Sequence, residues 1–417
     1  MQEGIPGARL QSPVWQALQV HFEDVFAVFG VLLMMGAFIA GLAHRTFLSL
    51  TALFVVAGFA LGVGGLKVLE FDPRSQFVEI LAIVALILIL FRDGLEVEAE
   101  MLRSAWRPPL RKLVLAMPLT CVLIACVTNA LTHLSWTESF LLGALLSPTD
   151  PVLSSSVVTN PRVPRLIRHS LNLESGLNDG LALPAVLAFA YALDPAKSDF
   201  VWWRFVLQDV TLGFAVGIAV GFLASLLMIG HSLSWEITPH NKALYAIGVA
   251  FGTYALAHAV NGNGLIAVFA CAITLGIRRA DIRESFEGRS EDVIEIVKLG
   301  IFVVFGSLLT FHGLFQDGWA AVAIVAFTLL IARPVAVLVA LIGTRTDMPT
   351  RLFMGWFGPK GVATMTFSLL VLGLAIQDGR EIFNLAALAV FASILVHGLT
   401  DTPGANAIAR HAERTAA

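Results

Sequence analysis

Two apolar stretches long enough to cross a membrane are each broken in the middle, and these breaks limit the possible folds more than anything else in the chain. The first reads Ser147-Pro148-Thr149-Asp150-Pro151 and the second Phe357-Gly358-Pro359-Lys360-Gly361. Proline removes a backbone donor and clashes with the preceding turn, so neither stretch continues as a regular helix. A charged side chain at membrane depth costs about 2.5–3.5 kcal/mol on insertion scales. The apolar segment after the first break carries Glu174-Ser175-Gly176-Leu177-Asn178-Asp179-Gly180, with two more carboxylates. Segments that keep such expensive features are expected to use them.

Of the 417 residues, 57% are hydrophobic and 14% are charged. Soluble globular chains carry roughly 25% charge, so the composition excludes an ordinary soluble domain and indicates an integral, all-α membrane protein. Its expected partner is the lipid bilayer, with no nucleic acid and no large organic substrate. Cys121, Cys126 and Cys271 lie within apolar runs and show neither disulfide nor metal spacing. The first twenty residues lack the pattern of a cleavable signal peptide, so the first span is expected to act as its own insertion signal.

A crossing helix needs roughly 20 apolar residues. By that measure thirteen candidate spans lie near 25–43, 47–66, 76–94, 112–133, 138–158, 170–193, 205–230, 241–260, 262–278, 294–313, 318–342, 350–376 and 380–400. The tight joint at Asn261-Gly262-Asn263-Gly264 predicts a hairpin between the eighth and ninth. With the N-terminus outside, cytoplasmic segments hold 19 Lys and Arg, Lys112 among them, against 6 outside. The positive-inside rule then predicts N-out and C-in. The charged connections Arg92–Lys112 and Arg278–Lys298 read as amphipathic helices on the cytoplasmic face, or more simply as solvated loops. Residues 1–24 are expected to form an extracytoplasmic segment and 401–417 a cytoplasmic tail too short for a regulatory domain.

The broken spans are the fifth and the twelfth. An offset of seven turns the second copy upside down, which predicts two inverted six-helix repeats joined by span seven. Paired interruptions of this kind point to a transporter's binding site. Four half-helix ends would meet near the midplane, where Asp150 offsets the positive N-terminal ends and Lys360 the negative C-terminal ends. Otherwise the prolines only kink packed helices.

Glu174 and Asn178 are four residues apart, as are Ser175 and Asp179, so both pairs occupy neighbouring faces of one helix. Together with Thr149 and nearby backbone carbonyls they offer oxygen ligands suited to a hard cation. Nothing in this group suits zinc or copper, since no His or Cys joins it. Asp179 is the expected carrier, because a buried carboxylate holds either a proton or a metal ion but not both. That competition yields obligatory exchange if the empty, charged carrier cannot reorient. Glu174 either joins the site or pairs structurally with Lys360 or Arg333. Ser175 and Asn178 either bind the ion or bond between helices. Arg333, inside span eleven, needs an acidic or carbonyl partner. Asp93 is expected as an interfacial charge at the cytoplasmic edge, and His44, His133, His258 and His397 as span-end residues.

Thr149-Asp150-Pro151, Glu174-Ser175 followed by Asn178-Asp179, and Gly358-Pro359-Lys360-Gly361 together resemble the monovalent cation/proton antiporter superfamily. The likeness is to its NhaP/NHE type and covers roughly residues 25–400. The resemblance implies an NhaA-like fold of about thirteen transmembrane helices with two broken, crossing helices. It further implies a homodimer, no cofactor and no enzymatic activity. A core domain of about 112–193 and 318–400 would slide like an elevator against a dimerisation scaffold of about 25–94 and 205–313. Asp179 would bind the transported ion beside Asn178, with Thr149, Glu174 and Ser175 lining or supporting the site. The implied activity is exchange of sodium (or lithium or potassium) for protons across the cell membrane, serving pH homeostasis. One aspartate after asparagine implies electroneutral exchange. Lys360 departs from the pattern, which usually has arginine there, and looks like the electrogenic branch; buried lysine can lose its proton whereas arginine effectively cannot. A cation-coupled symporter of an organic substrate on the same plan is the alternative, though the aliphatic surroundings of the acids argue against it.

Overall fold

The computed structural model describes residues 30–31, 33–34, 50–97, 107–150, 157, 160–197, 199–227, 239–288, 290–344 and 346–416. No strand occurs among them. In chain order the main helices are α1 (Leu50–Leu61), α2 (Gln76–Leu95), α3 (Met117–Leu131), α4 (Trp136–Leu146), α5 (Arg165–Leu193), α6 (Thr211–Leu227) and α7 (Pro239–Ala259). They continue with α8 (Gly264–Arg278), α9 (Ala280–Glu287), α10 (Glu291–Ser307), α11 (Trp319–Phe327), α12 (Arg333–Ala340), α13 (Met348–Trp356), α14 (Val362–Gly373) and α15 (Gly379–Ala416). Among the described residues, five continuous helical stretches are long and apolar enough to cross a membrane: Pro108–Leu131, Arg165–Leu193, Trp202–Leu227, Trp319–Ala340 and Gly379–Arg414.

Local chemistry sets the helix starts. Ser75 caps α2 by accepting from the Val78 N–H. Ser135 and Glu138 form a reciprocal capping box at α4. Asn263 accepts from both Leu265 and Ile266 N–H at 3.1 Å to open α8. Just before it, Asn261 adopts a left-handed φ of 59°, which lets α7 fold straight back into α8. The hairpin expected there is present.

Prolines also shape the interior. A π turn spans Lys112–Ala116 immediately ahead of Pro118, and another spans Thr328–Ala332 immediately ahead of Pro334. Each proline ring crowds the carbonyl four residues earlier, and the widened turn relieves the clash without ending the helix. The stronger breaks fall where the sequence placed them. Residues 147–150 leave α4 as a non-helical strand of chain, and residues 357–361 separate α13 from α14. The continuation of the fifth span through residues 151–156 lies outside the described residues, as do most of the first span and the centre of the Arg92–Lys112 connection.

The Arg278–Lys298 connection holds α9, whose Ile282 and Phe286 are buried against the bundle while Glu284 is exposed. Lys298 belongs to α10 rather than to that connection. The last helix does not stop near residue 400. It runs on to Ala416, with Ala405 and Ile408 buried in one cluster with residues of α12 and α13. Elsewhere, Gly213, Gly217 and Gly221 line the face of α6 that meets α8. A Cβ at Gly217 would strike the Ala267 carbonyl, so close helix approach demands glycine there.

Candidate cation site

The two breaks meet. The Asp150 N–H donates to the Pro359 carbonyl at 2.8 Å. Lys360 Nζ donates to the Pro148 carbonyl at 3.2 Å, and the Val362 N–H donates to Asp150 Oδ2 at 3.4 Å. Thr364 Oγ1 adds a bond to the Leu145 carbonyl at 3.1 Å. Asp150 therefore sits at the N-terminus of α14 and Lys360 just past the C-terminus of α4, each opposite the partial charge of that helix end. Gly361 is the point of closest approach, since any side chain there would run into Asp150.

Lys360 is buried, at 1% exposure. Its backbone N–H donates to Ser393 Oγ at 2.8 Å. Ser393 Oγ lies 3.0 Å from His397 Nδ1, and His397 Nε2 lies 3.0 Å from the Trp356 carbonyl. His397 is thus not the interfacial residue its place near a span end suggested. It is buried, and it occupies a carbonyl left without a helical partner where α13 ends.

Helix α5 lies against the break in α4. Asn178 Nδ2 donates to the Thr149 carbonyl at 2.5 Å and reaches Thr149 Oγ1 at 3.2 Å. Asn178 Oδ1 is buried and makes no hydrogen bond among the described residues. Asp179 follows at 7% exposure. The charged groups that act on it are the carboxylates of Asp93, within hydrogen-bonding reach, and Asp150, together with the Arg92 guanidinium. Gly176 brings the two helices together here: a Cβ on it would stand 3.1 Å from the Asp93 carbonyl. Ser175, one turn before Asp179, is half-buried.

Glu174 has a different environment. Oε2 accepts from Lys112 Nζ at 2.5 Å and Oε1 from Arg333 Nη2 at 2.9 Å. Arg333 also donates to the Phe357 carbonyl at 3.4 Å, and Lys112 to the Ser170 carbonyl at 3.4 Å. The structure places Arg333 on Glu174, one of the two pairings the sequence left open. The second partner is Lys112 and not Lys360. Lys112, counted among the cytoplasmic loop charges, is 1% exposed and lies within the bundle.

The family model described as "Sodium/hydrogen exchanger, transmembrane" matches residues 31–406. The chain belongs to this family. Among relatives, the K(+)/H(+) antiporter NhaP of Alkalimonas amylolytica is 27% identical over 381 residues, covering 90% of this chain and 65% of that protein. The K(+)/H(+) antiporter NhaP2 of Shewanella sp. (strain MR-4) is 24% identical, covering 92% of this chain and 67% of the relative. The chain thus spans about two thirds of the length of these relatives. Among solved structures, the sodium proton antiporter MjNhaP1 of Methanocaldococcus jannaschii at pH 8 superposes with a TM-score of 0.80 at 16% identity, over 93% of this chain and 99% of the other. That likeness establishes the fold as the exchanger fold of an all-helical, multi-pass membrane protein.

Within this exchanger fold, two residues escaped sequence reasoning. Asp93 was expected as an interfacial charge. It is 3% exposed, bonded to Arg92 at 2.6 and 2.9 Å, and turned toward Asp179. The sequence shows only that Asp93 follows Arg92 at the end of an apolar run; which way it faces depends on packing. Lys112 left only a faint signal, its place at the opening of the apolar run 112–133.

Proposed function

We propose that the chain is a secondary antiporter exchanging a monovalent cation for protons, with Asp179 as the carrier. The observation behind this reading is the setting of Asp179. It is a buried carboxylate beside two crossing helix breaks; the carboxylates of Asp93 and Asp150 act on it, and no described Lys or Arg forms an ion pair with it. Such a group cannot stay charged and empty in a low-dielectric interior at little cost. It takes up a proton or a cation, and each excludes the other. Thr149 Oγ1, the half-buried Ser175 and the unpartnered Oδ1 of Asn178 supply further oxygens near it. Glu174 serves as the structural ion-pair partner of Arg333 and Lys112, because both of its oxygens are engaged. Asp150 and Lys360 hold the crossing together and neutralise its helix ends.

Sodium is the first expectation, and potassium the second, favoured by the names of the NhaP relatives. Several finer features complete the reading: two inverted repeats of six helices, an N-out and C-in orientation in the cell membrane, a homodimer, and elevator movement of the 112–193 and 318–400 core against the scaffold. The matching order of a π turn before proline, a broken helix and a long helix in both halves supports the repeat.

The test is a liposome carrying an imposed proton gradient. Adding sodium or potassium should collapse the gradient in the wild type, and Asp179→Asn should abolish that response while the protein remains folded. Full exchange by Asp179→Asn would remove Asp179 from the carrier role.

A further inference from the structure

A second ionisable cluster lies away from the crossing, where the α3–α4 loop meets the start of α15. His133 Nε2 stands 3.3 Å from Glu381 Oε2 and 4.0 Å from Asp378 Oδ1. One ligand atom from each of the three residues lies within 4.8 Å of the others. Asp317 and Glu138 add their charges to the same neighbourhood. Two carboxylates thus face one imidazole, with two more charges close by. Neither oxygen of Glu381 is held by a lysine or arginine among the described residues, and the neighbouring Arg380 turns away to the Leu308 carbonyl at 3.2 Å.

Two of these carboxylates differ in a way that matters. Glu138 is already engaged, since its Oε2 accepts from the Ser135 N–H and Oγ in the capping box of α4. Glu381 is 6% exposed, and its Oε1 is buried with no hydrogen-bond partner among the described residues. The other oxygen of the same carboxylate, Oε2, faces His133 at 3.3 Å, so a cation held by this carboxylate would lie beside the imidazole. A buried carboxylate oxygen without a donor is costly, and a cation between the three side chains removes the cost.

We propose that His133, Asp378 and Glu381 form a binding site for a divalent transition cation of the zinc class. The imidazole nitrogen sets the class, since calcium and magnesium prefer all-oxygen shells while zinc accepts nitrogen with carboxylate oxygen. Ligands about 2.0–2.2 Å from zinc lie roughly 3.4 Å from one another around a tetrahedral ion. The His133–Glu381 separation already matches. Asp378, in the connection before α15, closes the remaining distance with a small side-chain movement. The His133 side chain is 69% exposed, so an ion reaches the site directly from solvent. The bound ion would tie the α3–α4 loop to the first turn of α15.

The probe is Zn2+ alone, titrated calorimetrically into the purified full chain carrying no histidine tag, beside His133→Ala and Asp378→Asn. Both altered side chains are at least partly exposed, so folding is retained, and thermal unfolding without zinc verifies it. The expected result is one saturable site per chain in the wild type and an affinity at least about tenfold weaker in each variant, in line with losses seen when metal-site partners are removed. Affinity equal to the wild type in either variant, or no saturable site in the wild type, overturns the proposal.

Discussion

Glu174 and Asp179 sit little more than one turn apart on α5 and are almost equally buried, at 5% and 7% exposure. Their surroundings are opposite. Glu174 lies between a lysine and an arginine, and both of its oxygens are bonded to cations. Asp179 faces carboxylates. The first arrangement has no electrostatic demand left to meet and even carries one positive charge in excess. The second has a demand that only a proton or a cation satisfies. Burial and residue type therefore do not separate a structural acid from a carrier. The sign of the neighbouring charges does.

The sharpest way to break this comparison is to neutralise each acid in turn. Asp179→Asn should eliminate cation-driven proton movement yet leave thermal stability close to the wild type. Glu174→Gln should do most of its damage to the fold. It leaves Lys112 and Arg333 buried without a counter-ion, and breaking a buried pair in this way costs about 3–5 kcal/mol. Unfolding in detergent reads the difference. If Lys112 and Arg333 are replaced with methionine together with Glu174→Leu, much of the stability should return, because a well-packed apolar trio avoids the desolvation cost. Equal destabilisation by Asp179→Asn and Glu174→Gln would erase the distinction.

The same pair shows what the sequence could and could not reveal. The breaks, the helical spacing of 174, 175, 178 and 179, and the membrane class follow from proline chemistry, helix periodicity and hydropathy, all local properties. Arg333 needed an acid, and Glu174 was named as one of its possible partners from charge balance alone. Lys112 was misplaced because a charge at the edge of an apolar run reads as a loop residue. The π turn ahead of Pro118 carries it inward, and no periodicity count shows that. Asp93 was misread for a related reason: whether a span-end charge faces water or another helix depends on packing across α2 and α5. His397 likewise seemed interfacial until the unpaired Trp356 carbonyl gave it a partner. In each case the missing information was tertiary, in the pairing of groups far apart in the chain.

Asp93 offers a smaller, graded test of the comparison. If negative surroundings create the affinity of the Asp179 site, removing one charge from them should weaken cation binding without abolishing transport. Asp93→Asn should raise the apparent KM for the driving cation by about tenfold, equivalent to about 1.4 kcal/mol, with a smaller change in maximal rate. The arithmetic is reasonable for a charge a few ångströms away with Arg92 screening part of it. Cation titrations of gradient collapse would measure this. An unchanged KM would mean that Arg92 already cancels Asp93 and that Asp150 supplies the field.

The weakest effect is expected at the surface, where the same kind of double pairing holds an acid that water can reach. On α9, Asp281 accepts from Arg279 at 2.8 and 2.9 Å and from Lys242 at 2.7 Å. It is Glu174's arrangement moved into solvent. The Arg279 hydrogen bonds, joined by Lys242 and opposed by partial burial, hold its carboxyl well below the usual carboxylate range. A carboxylate depressed in the folded state stabilises the fold above its unfolded pKa, about 3.9 for aspartate. That contribution disappears as the pH falls through the lower folded value. The side chain is 39% exposed, so solvent screening limits the gain to a few tenths of a kcal/mol up to about 1. Asp281→Asn should therefore lower thermal stability slightly at neutral pH, less so in high salt, and the gap from the wild type should shrink toward zero in strong acid. A penalty at Asp281 as large as that at Glu174 would show that number of cationic partners, rather than burial, sets the energy of these acids.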